Sequence, residues 1–278
     1  MLTHTFCHLP GIGPATERSW WNQGILTWDD FLTRKPARMS TSRHQSLARE
    51  LEDSLYFLQC GQAAYFAARL PKPEMWRLFA SFSDNLAYVD IETTGGLHGL
   101  DHITTLAAYD RSQVHTFVHS CNLEQAADLL ARTQVIITYN GACFDLPYLR
   151  RELDIPAPAA HIDLRFVLAS LGYRGGLKGC ERQLGLHRGE LEGFDGYLAV
   201  LLWHSYQVHQ DPRYLDTLLR YNCEDVINLD LLMTEAWNQK VEHLPLPVSH
   251  LRLDRPQLFP NPFPLHLEVL ETMRSYTL

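Results

Sequence analysis

The chain has 278 residues, 46% hydrophobic and 20% charged, with a formal net charge of −8, a composition suited to one large globular domain or a core domain with an appendage. No stretch approaches the roughly 18 unbroken apolar residues of a membrane helix, so no membrane partner is expected. The acidic balance argues against tight, sequence-independent coating of nucleic acid, which depends on Lys and Arg. The start, Met1-Leu2-Thr3-His4-Thr5-Phe6, lacks a basic segment followed by an apolar one, so secretion is not indicated. Six cysteines without a CxxC pair point to reduced thiols and a cytoplasmic setting.

In chain order, Leu9-Pro10-Gly11-Ile12-Gly13-Pro14 comes first. Pro14 suits the first turn of a helix, and such a turn presents backbone N–H groups where a phosphate can sit. Thr27 and Asp30 cap a second short helix. Leu47, Leu51, Leu55 and Leu58 have the spacing of a helix with one buried face, within a helical stretch from Ser42 to Leu70 that Pro71 and Pro73 end. Strands are expected at Leu86–Ile91, Ile103–Tyr109 and Val114–Val118, joined by turns containing Gly95, Gly96, Gly99 and Asp110. A helix near Leu123–Arg132 leads to a fourth strand at Val135–Thr138, a step that normally makes a parallel crossover. The expected fold is therefore α/β, a mixed β-sheet flanked by helices, with a small N-terminal all-α module.

A helix from Leu146 to about Leu153 follows, with Pro147 in its first turn; His161 then opens a short strand or helix running to Leu171. Gly175 to Gly179 reads as a flexible turn before a segment Cys180–Leu186, and two long helices follow near Gly196–His209 and Pro212–Glu235. Prolines from Pro245 to Pro264 exclude regular helix there and mark an extended arm. The expected organisation is a helical module over 1–70, a catalytic domain over 84–235 and a Pro-rich C-terminal arm over 236–278.

Asp90 and Glu92 stand two apart at the end of the first strand, so both carboxylates share a face. Their repulsion is relieved by a divalent cation. Asp145 follows the fourth strand behind Asn140 and Phe144, and Asp225 lies four residues after Tyr221 on the last long helix, so that these two share a helix face. Hard ions such as Mg²⁺ and Mn²⁺ choose carboxylate oxygen.

Asp90-Ile91-Glu92, the Tyr139-Asn140-Gly141 to Phe144-Asp145 element and the Tyr221 to Asp225 element resemble, in order and spacing, the three motifs of the DEDDy-type 3′–5′ exonucleases of the ribonuclease H-like superfamily. The resemblance spans about residues 84 to 235 and is closest to the YprB-type ribonuclease H-like group. It implies a ribonuclease H-like fold and hydrolysis of DNA or RNA phosphodiester bonds from a single-stranded end, by a two-metal-ion mechanism with Mg²⁺ or Mn²⁺. It carries the metal and catalytic roles onto Asp90, Glu92, Asp145 and Asp225, with Asp90 bridging both ions and Tyr221 orienting the attacking water; a phenol titrating near 10 is a poor base at neutral pH. The Leu9 to Pro14 segment resembles a helix-hairpin-helix element, which implies contact of Gly11 and Gly13 with a nucleic-acid backbone; Glu17 departs from that pattern, where a small apolar residue is usual.

Other residues have two readings. Thr93 and Thr94 either meet a terminal phosphate or close the turn after the strand. Asn140 either touches substrate or caps the helix of Asp145, the cap being favoured, and Phe144 is expected to pack the junction. Lys178 is a candidate phosphate ligand whose alternative is a solvated side chain. His161 and Asp163, without a third partner, read as structural, as do Trp20 and Trp21. A catalytically silent nucleic-acid-binding scaffold and a structure-specific endonuclease are the alternatives for the whole chain, and no protein partner declares itself.

Overall fold

A computed structural model describes residues 1–96, 101–247 and 249–277. Four helices open the chain: α1 (Pro14–Asn22), α2 (Trp28–Thr33), α3 (Thr41–Gln59) and α4 (Ala63–Ala67). Gly11 takes a positive φ of 72°, and Gly13 is extended as the residue before Pro14, which sets the entry into α1. The capping box at α2 is complete: the Asp30 amide donates to Thr27 Oγ1 at 3.1 Å and the Thr27 amide to Asp30 Oδ2 at 2.9 Å. The helical stretch expected from Ser42 to Leu70 is interrupted, because Gly61 at φ 64° turns the chain between α3 and α4. Leu47 and Leu51 are fully buried, as are nearly all of Trp20 and Trp21.

Glu17 is also sealed inside. Its Oε2 accepts from Thr5 Oγ1 (3.0 Å) and from the amides of Phe6 (2.5 Å) and Cys7 (3.2 Å), while Oε1 accepts from Arg77 Nη1 at 2.7 Å. The residue that departs from the hairpin pattern thus ties the N-terminal helices to the 3₁₀ run Lys72–Asn85 that leads into the sheet.

The sheet has five strands among the described residues: β1 (Leu86–Thr93), β2 (Ile103–Tyr109), β3 (Val114–Val118), β4 (Val135–Thr138) and β5 (Ala160–Asp163), in the order β3-β2-β1-β4-β5. β1 pairs antiparallel with β2 and parallel with β4. The meander and the crossover follow the sequence reading; Gly99 lies outside the described residues. Alternation along β1 sends Val89 and Ile91 into a core with Leu106, Ile136 and Leu149. On that side lie α5 (Ala126–Arg132) and α6 (Asp145–Leu153). Tyr88, Asp90 and Glu92 take the other face.

α7 (Leu164–Ser170), α8 (Gly176–Gln183), α9 (Gly196–His209) and α10 (Pro212–Glu242) follow. The supposed flexible turn is the first part of α8: Gly175, at φ 95°, is the residue before the helix, and Lys178 is helical. α10 crosses the second face of the sheet, where Tyr88 donates to Asp230 Oδ1 at 2.6 Å. The arm runs back along α10. Trp237 Nε1 donates to the Leu251 carbonyl (2.8 Å), Asn238 exchanges two bonds with Leu253 (2.9 Å each), and Asn261 donates to the Arg220 carbonyl (2.9 Å). It ends in a helix that sequence reasoning did not find, α11 (Leu267–Thr277), whose Val269, Leu270 and Met273 are buried with residues of α9 and α10. Among the described residues, no helix is long and apolar enough to cross a membrane.

Candidate metal centre

β1 outruns β4: the parallel pairing stops at Tyr88↔Ile137, and Asp90 to Thr93 keep β2 as their only strand neighbour among the described residues. Asp145, the first residue of α6, fills that edge, its Oδ1 accepting from the Ile91 amide at 3.1 Å. The carboxylate of Asp225 descends from α10 onto the same place. One carboxylate oxygen from each of Asp90, Glu92 and Asp225 lies within 4.8 Å of the others. Asp225 and Asp145 are buried, whereas Asp90 and Glu92 keep some accessible surface.

Asn222, inside the Tyr221 to Asp225 element, orients the first of these groups. Its Nδ2 donates to Asp90 Oδ2 at 2.7 Å, and its Oδ1 accepts from Thr105 Oγ1 at 3.1 Å. Desolvation, then the charges of Asp225, Asp145 and Glu92, raise the Asp90 carboxyl well above the ordinary range. Glu92 is raised likewise, by desolvation and Asp225, against the opposing pull of Lys178. Asp145 is pushed up to about 7, chiefly by burial. Tyr221 is fully buried, and its hydroxyl, raised above its usual value by desolvation and by Asp225, accepts from Lys178 Nζ. Lys178, lowered by burial, also stands 4.4 Å from the centroid of that ring. It thus stands in the first turn of α8, half-buried rather than solvated.

Sequence reasoning missed two charged residues here. Arg188 forms an ion pair with Asp225, and Glu181 holds the same guanidinium through two bonds of 2.6 Å, to Nε and Nη2. Glu181 Oε1 also accepts from Asn228 at 2.9 Å. Neither residue lies in a motif; the only signal was that Glu181 falls three residues after Lys178 on one helix. Lys178, Glu181 and Arg188 line a cavity of about 180 Å³ together with Leu191 and Phe194.

The remaining candidates fall around this centre. Thr93 Oγ1 accepts from the Gly95 amide (3.3 Å) and Thr94 Oγ1 from the His102 amide (3.2 Å), so both hydroxyls close the turn. At Gly95 the chain packs tightly on α9, since a Cβ there would meet Val200 Cγ2 at 2.6 Å. Asn140 does not cap α6, whose preceding residue is Phe144 with no side-chain cap. With φ 68°, Asn140 turns its amide to Asp163 Oδ1 (2.8 Å) and its side-chain oxygen to Arg165 (2.5 Å), which removes it from the helix start. Phe144 does not pack the junction either: it is 38% exposed, beside Tyr148 at 5.1 Å between ring centroids. His161 bonds Thr138 Oγ1 at 2.9 Å, and Asp163 serves the Asn140 loop and the start of α7. Gly11 and Gly13 lie at the surface end of α1, far along the chain from the carboxylates, with Arg43 bonded to the Pro10 carbonyl beside them.

The donor set suits a hard divalent cation. Oxygens on opposite sides of a Mg²⁺ ion stand about 4.2 Å apart and those around a Ca²⁺ ion about 5 Å apart, and three mutually repelling carboxylates already share such a space. Asp90, Glu92 and Asp225 are the residues that could hold it.

A family model described as RNase_H superfamily matches residues 87–237. No curated protein matches the chain. Similar solved structures include the family B DNA polymerase from the hyperthermophilic archaeon Pyrobaculum calidifontis, at 20% identity and a TM-score of 0.44, over 59% of this chain and 26% of that one. The Aedes aegypti Nibbler EXO domain is similar at 12% identity and a TM-score of 0.41, over 72% of this chain and 91% of that one. The chain thus spans about a quarter of the polymerase's length. The family match takes in β1, with Asp90 and Glu92, through most of α10, with Asp225: the chain belongs to the RNase_H superfamily.

Proposed function

We propose that the protein is a DEDDy-type 3′–5′ exonuclease, of the YprB-like group, that hydrolyses phosphodiester bonds of DNA or RNA from a single-stranded end. The observation that carries this is the meeting of Asp90, Glu92 and Asp225 from segments more than a hundred residues apart, with Asp145 beside them. Asp90, Glu92 and Asp225, with Asp145, would hold two ions, Mg²⁺ or Mn²⁺. Bound there, the ions supply an acidified water and stabilise charge on the attacking and leaving oxygens.

The chain's own residues position the rest. Asn222 fixes the Asp90 carboxylate. Tyr221, whose hydroxyl proton is held at neutral pH by burial and neighbouring carboxylates, orients the attacking water rather than deprotonating it. Lys178 sets the direction of that hydroxyl; Thr93 and Thr94, whose oxygens accept in the turn, keep their O–H groups to donate to the substrate end beside the Asn140 amide. Residues 1–70 act as a helical module in which Gly11 and Gly13 meet the backbone, 84–235 as the nuclease domain and 236–278 as an arm. Free thiols, three of them buried, suit a reducing cytoplasmic compartment.

End-labelled single-stranded DNA and RNA, each with Mg²⁺ or Mn²⁺, test the proposal. Mononucleotides should leave from the 3′ end, 3′-blocked and circular strands should resist, and Asp90→Ala should release none. Activity retained by Asp90→Ala would sink the proposal. Cutting of circles would assign an endonuclease instead, and a Mn²⁺-raised melting temperature without hydrolysis of any strand would assign a binding scaffold.

A further inference from the structure

Arg188 lies just after α8, on the stretch leading to α9, and its guanidinium is 2% exposed. A buried Arg–Glu pair alone would be neutral and self-contained, yet this guanidinium is divided between two carboxylates, Glu181 and Asp225. Glu181 in turn is braced by Asn228 from α10, one turn beyond Asp225. The chain therefore holds a fixed cation against one of three carboxylates that converge within 4.8 Å. Its site is preorganised from both sides, by Glu181 on α8 and Asp225 on α10.

We propose that Arg188, anchored by Glu181, is a positioning residue of the centre: it holds Asp225 by an ion pair in the metal-free protein and so keeps divalent-cation affinity below that of the bare carboxylates. This rests on the metal-centre reading above. In the metal-free protein the guanidinium offsets part of the repulsion among the carboxylates. When a cation approaches, Asp225 must be shared between two positive groups, and like charges a few ångströms apart oppose binding. Glu181 tempers this by drawing the guanidinium's charge toward itself. Removing Arg188 and removing the charge of Glu181 therefore act on metal affinity in opposite directions, which a purely structural pair would not do.

The test is isothermal titration of the full chain with MnCl₂, for wild type, Arg188→Gln and Glu181→Gln, with metal-free melting temperatures recorded alongside. Arg188→Gln should melt lower without metal and bind Mn²⁺ about tenfold more tightly. Glu181→Gln, which keeps an acceptor oxygen for Arg188, should bind Mn²⁺ about tenfold more weakly. Affinities that are unmoved, or that weaken alike in both variants, overturn the proposal. If Arg188→Gln does not fold, Glu181→Gln decides alone, and unchanged or tighter binding overturns it. Wild type that binds no Mn²⁺ sinks the metal-centre reading and this proposal together; wild type that binds it while the variants stay unmoved sinks only the role of Arg188.

Discussion

Glu17 and Asp90 are carboxylates, one in the N-terminal helices and one on the central strand, and each sits among other charges. Around Glu17 every oxygen has its donors: three to Oε2, and the Arg77 guanidinium to Oε1, with Glu74 taking the other edge of the same arginine. Around Asp90 the supply runs short. Among the described residues, Asp90, Glu92, Asp145, Asp225 and Glu181 share only Lys178 and Arg188, an excess of three carboxylates over cations. The first cluster is complete without help and fastens two segments together. The second is left short of positive charge, a state that costs stability and has a use only if something positive arrives.

Breaking the closed cluster should have the largest effect. Arg77→Met strands a buried Glu17 and should cost about 3–5 kcal/mol in urea unfolding; a loss below about 1 kcal/mol would erase the contrast. The open cluster should respond with the opposite sign. Asp90→Asn removes one repelling charge and should stabilise the metal-free protein by about 1 kcal/mol while abolishing the Mn²⁺-induced rise in melting temperature. If this variant is destabilised instead, the centre is not short of positive charge.

The smallest expected effect is on pH dependence. Asp145 has its folded value raised by burial from the ordinary 3.8 to about 7, so the folded state binds the proton more strongly than the unfolded one. Its contribution is therefore fully present below the unfolded value and is lost as pH rises through the folded one. Asp90 and Glu92, both raised, act in the same direction. The metal-free melting temperature should fall by a few degrees between about pH 5 and about pH 8, and the slope should flatten in Mn²⁺. A melting temperature that climbs over this range would contradict the shared cause.

What could be read in advance follows from how local each signal is. Strands β2, β3 and β4 have the bounds expected from their apolar and β-branched runs, because turn residues close them on both sides. That Asp90 and Glu92 share a face needs only the two-residue period of a strand, and their company with Asp225 is what the motif order implied. Arg188 was illegible because a buried arginine looks like a surface one until its partners on α8 and α10 are known. The same holds for Asn140, where a tertiary partner, Arg165, overrides the usual habit of the residue type; Phe144 is exposed with a local ring neighbour, Tyr148, four residues on. The start of α8 was missed because two glycines suggest a loop, whereas here Gly175 supplies a left-handed turn that begins a helix.

The strap formed by the C-terminal arm bears on how the molecule can be divided. The family match stops at residue 237, inside α10, which continues to Glu242. A fragment cut there would sever the helix that carries Asp225, and would leave the Trp237 indole without the Leu251 carbonyl and the apolar faces of α9 and α10 without Val269, Leu270 and Met273. The smallest piece worth expressing therefore runs through α11, and a homology boundary is the wrong place for the scissors.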